Sequence, residues 1–258
     1  MRPTRPLLVL LLAAAVLLGL ARPASAAPGR YVALGDSYSS GSGAGAYYSD
    51  GGCQLSANAY PRLWADANAP SAFTFAACGG AVTADVLAEQ VSALTADTSL
   101  VTISIGGNDA GFGDVMTTCL TSLTATCVAR NEQARDFIRD TLPGRLDDVY
   151  AEIADRAPHA RVVVLGYPHI FGTNATCLLA GSAKRAALNG SSDVLSSVIS
   201  ARAAAHGFDY IDARATFATH EVCGSGADWI RGLSTDGAFH PNAAGQNGGY
   251  YRALEDLV

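Results

Sequence analysis

The stretch YVALGDSYSSGSGAG, residues 31–45, joins a short apolar run of strand type to a turn of small residues. Tyr31 to Leu34 form the apolar run, and Gly35-Asp36-Ser37 ends it abruptly. A serine just beyond a strand has two ordinary interpretations. It is either a nucleophile or the N-cap of the next helix, because Ser and Asp are favoured caps. The ends of the other strands bear on the choice.

Four more apolar runs follow and predict buried strands. With the first run, they cover residues 31–34, 72–76, 100–105, 161–166 and 208–211. Helical patterns separate them, most clearly after Pro143, where apolar residues recur on one helix face: Leu142, Leu146, Val149, Tyr150 and Ile153. Strands that alternate with helices predict an α/β fold, with a parallel sheet of about five strands and helices on both faces.

Two polar segments follow strands of this predicted sheet. Ser37 lies three residues beyond the first strand, and Gly106-Gly107-Asn108-Asp109 follows the third. Ligand sites in open α/β sheets form at the carboxyl ends of the strands, so we expect both segments at the same edge. Taken alone, the second segment is also typical of an ordinary turn, because Gly and Asn tolerate positive φ.

A nucleophilic serine needs a base, and a neutral imidazole suits that task near pH 7. His240, in DGAFHPNAAGQ at 236–246, is the best candidate of the five histidines, although it also fits a surface position before the last helix. His169, after the fourth strand, is the rival. Candidate donors for an oxyanion are the backbone N–H groups of Ser37 and Gly80 and the side-chain amide of Asn108.

The N-terminal residues 1–26 are typical of a secretory signal peptide. Arg2 and Arg5 precede an apolar run at 7–20, and Ala24-Ser25-Ala26 fits a cleavage site. We therefore expect an exported protein whose mature chain, 27–258, is a single domain. No later segment reaches the roughly 20 apolar residues that spanning a bilayer requires, so no transmembrane segment is expected. Removal of 1–26 changes the formal charge from −6 to −9, which argues against nucleic acid as a partner.

All six cysteines lie beyond residue 26. They are Cys53, Cys78, Cys119, Cys127, Cys177 and Cys223. An even count in an exported chain predicts disulfides, and the count alone leaves fifteen pairings open. Neither a CxxC nor an HxxxH spacing occurs, so the sequence does not predict a metal site.

Four ordered blocks of the chain resemble those of the SGNH (GDSL-type) hydrolases. They are GDSYSSG at 35–41, CGGA at 78–81, GGNDAGF at 106–112 and FHPN at 239–242. The blocks are similar to those of the secreted actinobacterial lipases, esterases and phospholipases A1. The resemblance covers nearly the whole mature chain and implies a flavodoxin-like three-layer sandwich.

The resemblance also implies roles for the residues singled out above. Ser37 would be the nucleophile, His240 the base, and Gly80 and Asn108 would join the Ser37 amide in an oxyanion hole. No cofactor or metal is expected. Three disulfides between neighbouring cysteines are implied as well: Cys53–Cys78, Cys119–Cys127 and Cys177–Cys223.

One position departs from the family pattern. The wider family has an aspartate three residues before its histidine, whereas Gly237 stands there in this chain and Asp236 lies four residues before. The partner that orients His240 is therefore either the Asp236 carboxylate or a backbone carbonyl of Gly237 or Ala238.

The expected activity is hydrolysis of carboxylic esters through an acyl-enzyme on Ser37. Acyl glycerols, glycerophospholipids and simple esters are the expected substrates, and the enzyme is expected to be a monomer that contacts lipid interfaces transiently. One alternative is a carbohydrate O-deacetylase of the acetylxylan type on the same fold. Another is a non-catalytic binding module, which would make the co-occurrence of Ser37, Gly80, Asn108 and His240 accidental.

Overall fold

The strands of the protein form one parallel sheet. The computed structural model describes residues 29–48, 52–174, 177–234 and 236–258, so the predicted signal peptide at 1–26 lies outside the described residues. Within this part of the chain the strands are β1 (Arg30–Gly35), β2 (Phe73–Phe75), β3 (Thr98–Ser104), β4 (Arg161–Leu165) and β5 (Asp209–Ile211). Their order in the sheet is β2-β1-β3-β4-β5, and every neighbouring pair is parallel. The predicted α/β fold is confirmed, and each strand lies within two residues of its predicted bounds.

Helices connect the strands. They are α1 (Ser37–Ser40), α2 (Tyr60–Asn68), α3 (Thr83–Asp85, continued by the π-helical turn Val86–Gln90 and the 3₁₀ turn Val91–Ala93), α4 (Phe112–Thr121), α5 (Thr124–Asp140), α6 (Leu142–Arg156), α7 (Ser182–Ala205), α8 (Ala213–Thr216) and α9 (Ala243–Gly245, continued by the π-helical turn Gln246–Tyr251 and by Arg252–Leu257).

Burial of consecutive strand residues explains the layered architecture. Residues 31–34 of β1 and 163–165 of β4 are fully buried. Successive side chains of a strand point to opposite faces, so both faces of the sheet must be covered by helices. In α6 the buried residues are the five that the periodicity predicts: Leu142, Leu146, Val149, Tyr150 and Ile153. Burying each such side chain stabilises the fold by about 1.5–3 kcal/mol.

Three disulfides hold the loops of the described residues. They join Cys53 to Cys78, Cys119 to Cys127 and Cys177 to Cys223, which are the pairs that the family resemblance implies. The first bridge ties the loop after α1 to the segment after β2. No helix among the described residues has the length and apolar character needed to cross a membrane.

Candidate active site

The hydroxyl of Ser37 does not act as a helix cap. The N-cap of α1 is Asp36, whose Oδ1 accepts a hydrogen bond from the Tyr38 N–H at 2.9 Å. The Ser37 Oγ lies instead 2.8 Å from Nε2 of His240, across 203 residues of sequence. The two interpretations of the opening stretch therefore apply to different residues, because Asp36 caps the helix and Ser37 faces the histidine.

The other ring nitrogen of His240 contacts a backbone carbonyl. Its Nδ1 lies 2.8 Å from the carbonyl oxygen of Ala238. A carbonyl oxygen only accepts hydrogen bonds, so Nδ1 carries the proton and Nε2 presents its lone pair to the Ser37 hydroxyl. The imidazole is thus held in the tautomer in which Nε2 can accept a proton.

Asp236, the carboxylate that the family pattern suggested, is not this acceptor. It is exposed, and its two oxygens accept from the Tyr47 hydroxyl at 3.4 and 3.5 Å. The His240 N–H donates to the Gly237 carbonyl at 3.1 Å, which closes a tight turn between these residues. Gly237 has φ +63°, and a Cβ there would lie 2.3 Å from the Gly43 Cα. This close packing leaves no room for a side chain at residue 237 and fixes the turn.

The protonation of His240 depends mainly on its surroundings. Burial lowers its pKa below the ordinary value of 6.5, because the charged ring is poorly solvated. The hydrogen bond to the Ala238 carbonyl and the charge of Asp236 act in the opposite direction, with smaller effect. The ring is therefore neutral at pH 7, as a general base must be.

Gly80 and Asn108 line the same cleft as Ser37 and His240. The cleft has a volume of about 490 Å³. No heavy atom outside its chain neighbours lies within 4 Å of the position where Gly80 would carry a Cβ, so its backbone is open to the cleft. Ser37 is the first residue of α1, and the N–H groups of a first helical turn have no partner within the helix. The three residues that carry the candidate donors therefore line one cleft.

Two side chains tie the Asn108 segment to the Gly80 segment. The Asn108 amide donates to the Ala81 carbonyl at 2.9 Å. Asp109 accepts from the Thr83 N–H at 3.0 Å and from the Thr83 hydroxyl at 2.6 Å. Arg145 donates to the same carboxylate at 3.1 Å. An amide nitrogen carries two hydrogens, so Asn108 keeps one for a ligand in the cleft.

A narrow apolar cavity of about 60 Å³ opens beside Ser37 and Asn108. It runs between α4, α5 and α7, and its apolar lining includes Phe112, Val115, Met116, Ile138, Leu188 and Leu195. Of these residues, Phe112 alone stands in a sequence block named above, GGNDAGF at 106–112. Their helical spacing is the same as that of core residues, so the pattern contained no signal that a cavity lies beneath them.

His169 lies apart from this cleft. Its Nε2 is 2.8 Å from Oδ1 of Asp193, and it lines a separate cleft with Asn189 and Glu221. The structure thus brings Ser37, Gly80, Asn108 and His240 together and leaves His169 and Asp236 outside the group.

A serine in contact with a neutral histidine, in one cleft with Gly80 and Asn108, is an arrangement suited to acyl transfer. The chain belongs to the GDSL-like lipase/acylhydrolase family, whose model matches residues 33–247.

Individual relatives agree with this membership. The chain is 49% identical to Lipase 1 of Streptomyces coelicolor over 253 residues, which covers 95% of this chain and 94% of the relative. The crystal structure of phospholipase A1 from Streptomyces albidoflavus NA297 superposes with a TM-score of 0.88 at 51% identity, covering 90% of this chain and all of that one. An extracellular lipase from Streptomyces rimosus gives a TM-score of 0.86 at 46% identity, covering 89% of this chain and all of that one. The family and the relatives identify the enzyme as a carboxylic-ester hydrolase.

Proposed function

We propose that the protein is an exported lipid-ester hydrolase that works through an acyl-enzyme on Ser37. The observation that carries the proposal is the 2.8 Å contact between the Ser37 Oγ and Nε2 of His240, with Nδ1 held by the Ala238 carbonyl. A serine hydroxyl becomes a nucleophile when an adjacent base takes its proton, and a neutral imidazole in this tautomer is such a base.

The proposed reaction has two halves. The Ser37 Oγ attacks the acyl carbonyl while its proton passes to His240, and the resulting oxyanion is bound by the N–H groups of Ser37 and Gly80 and by the Asn108 amide. Collapse of this intermediate breaks the ester bond, and His240 returns the proton to the leaving alcohol. Water then attacks the acyl-enzyme with His240 as base, which releases the acid and restores Ser37. No metal or cofactor takes part in these steps.

The apolar cavity beside Ser37 supports a fatty acyl chain as the bound group. Its lining offers aliphatic and aromatic side chains along three helices, whereas an acetyl group would need no such extension. This observation favours lipid esters over the carbohydrate deacetylase alternative. The names of the relatives, two lipases and a phospholipase A1, point to the same substrate class.

Export is part of the same proposal. The signal-peptide pattern of residues 1–26, the three disulfides and the extracellular origin of the Streptomyces rimosus relative support it. Disulfides persist in oxidising compartments, so a protein with three of them suits the exterior of the cell.

The test combines labelling with a substrate panel. A fluorophosphonate is expected to label wild type on Ser37 and to leave Ser37→Ala unlabelled, while Ser37→Ala loses nearly all ester hydrolysis. We expect wild type to hydrolyse p-nitrophenyl esters from butyrate to palmitate and phosphatidylcholine. Labelling of another serine would overturn the mechanism. Activity on acetylated xylan without activity on long acyl chains would support the deacetylase instead.

A further inference from the structure

Two buried polar side chains lie at the wall of the apolar cavity beside Ser37 and have no part in the proposed chemistry. Asp36, directly before Ser37, is 1% exposed, and Tyr167, which follows β4, is 6% exposed. The Tyr167 hydroxyl donates to Oδ2 of Asp36 at 2.5 Å. Oδ1 of the same carboxylate caps α1 through Tyr38, so Asp36 holds both the start of the Ser37 helix and the phenol.

The Tyr167 hydroxyl also contacts the Asn108 segment. Its oxygen accepts a hydrogen bond from the Gly107 N–H at 3.2 Å, and Gly107 directly precedes Asn108. The two groups approach closely, since a Cβ on Gly107 would lie 3.1 Å from Cζ of Tyr167. One hydroxyl group therefore connects the segment that carries Ser37 to the segment that carries Asn108.

Burial of the Asp36 carboxylate is energetically unfavourable, because the charged group loses its solvation. Burial raises its pKa to about 7, even though the hydrogen bonds from Tyr167 and from the Tyr38 N–H lower it. The nearby charge that acts on it is that of another acid, Asp109, which raises the pKa further. Since a neutral side chain would avoid this destabilisation, a purely structural role is a poor explanation for a carboxylate at this position.

We propose that Tyr167 is a positioning residue, whose hydroxyl, anchored by Asp36, fixes the separation between the Ser37 nucleophile and the Asn108 oxyanion donor. The proposal rests on the ester-hydrolase mechanism given above. An oxyanion donor acts on a charge that develops only in the transition state, so its placement relative to the nucleophile affects the rate more than it affects substrate binding. A displacement of about 1 Å can cost about a hundredfold in rate.

Tyr167→Phe tests the proposal with the smallest change. It removes the hydroxyl and keeps the ring, which packs edge-on against Tyr38 with centroids 5.0 Å apart. On a soluble ester such as p-nitrophenyl butyrate we expect kcat to fall about 10- to 100-fold, with KM changed less than about twofold. The matched control is Tyr31→Phe, which removes a buried hydroxyl bonded to Thr102 in the sheet at 2.8 Å. It should lower Tm comparably and leave kcat unchanged.

A double mutant shows whether Tyr167 acts through Asn108. If the hydroxyl serves to place that amide, Tyr167→Phe should cost clearly less kcat in an Asn108→Ala background than in wild type, because the group being positioned is already absent. An equal loss in both backgrounds would overturn the proposal. So would a wild-type kcat in folded Tyr167→Phe.

Asp36→Asn supplies a second variant should Tyr167→Phe fold poorly. It removes the buried charge, so Tm at pH 8 should stay at or above that of wild type while kcat falls. A residue with only a structural role would lower both, and unchanged kcat would contradict the proposal. Fluorophosphonate labelling of Ser37 in wild type separates these outcomes from failure of the proposed function, since loss of that labelling would concern the mechanism itself.

Discussion

The two histidines that the sequence offered as a base have opposite surroundings. His169 pairs with a carboxylate, Asp193, which Arg214 also contacts at 2.7 Å. The Nδ1 atom of His240 contacts the neutral carbonyl of Ala238, yet His240 is the histidine that faces a serine. The more favourable electrostatic partner thus belongs to the histidine outside the site. What distinguishes His240 as the candidate base is therefore its position near the carboxyl end of β1 rather than the strength of its hydrogen-bond acceptor.

Replacing each histidine with alanine should give the largest difference in kcat/KM between the two positions. His240→Ala is expected to reduce kcat/KM by about 10⁴-fold or more, because the Ser37 hydroxyl then has no base. His169→Ala should leave kcat/KM within about twofold and lower Tm slightly, since it removes one partly exposed hydrogen bond to Asp193. Assays on p-nitrophenyl butyrate and thermal melts measure both. Comparable losses of activity in the two variants would remove the distinction between them.

Replacing the aspartate near each histidine with asparagine should give a smaller difference in kcat/KM. If the Ala238 carbonyl orients His240, Asp236→Asn should cost about tenfold or less in kcat/KM, because the tautomer survives. Asp193→Asn is its control at the other histidine and should not change kcat/KM.

The contrary outcome for Asp236→Asn is equally specific. A loss beyond about a thousandfold, in a variant with the circular dichroism spectrum of wild type, would show that the carboxylate takes part in a full triad.

The pH dependence of kcat/KM should show the smallest effect, a displaced midpoint of its acid limb. Burial lowers the pKa of His240, so the acid limb of kcat/KM should have its midpoint below pH 6.5. Activity is then lost as the pH falls through the lowered pKa, because the protonated ring cannot act as a base.

Asp36 is the control for this profile, since its pKa is raised to about 7 and it lies next to Ser37. The acid limb should keep its midpoint in Asp36→Asn. A limb that disappears in this variant would assign the titration to Asp36 rather than to His240.

The sequence alone predicts the scaffold well because its signals are local. Apolar runs bounded by Gly or Pro located all five strands, and the apolar face of α6 was read from its periodicity. The candidate site residues could be named because each stands just beyond a strand or before the last helix. The spacing favours a backbone carbonyl as the partner of His240, because one residue more between Asp236 and the ring changes the direction from which the carboxylate approaches. It could not choose between the carbonyls of Gly237 and Ala238, because that depends on the geometry of the turn.

The contact between Asp36 and Tyr167 could not be predicted from the sequence, for a different reason. Asp36 and Tyr167 are 131 residues apart, and neither stands in a pattern that refers to the other. The apolar cavity between α4, α5 and α7 was missed similarly, since a helix face that lines a cavity has the same periodicity as one that fills a core.

If the protein is exported as proposed, the pairing of its cysteines determines an order in which its disulfides can form. The six cysteines pair first with second, third with fourth and fifth with sixth along the chain, so the bridges neither cross nor enclose one another. A chain that enters an oxidising compartment from its N-terminal end can close Cys53–Cys78 before Cys119 arrives. The later pairs can then follow in turn. Of the fifteen possible pairings, this one alone can be reached by oxidising cysteines in order of appearance, without a later exchange step.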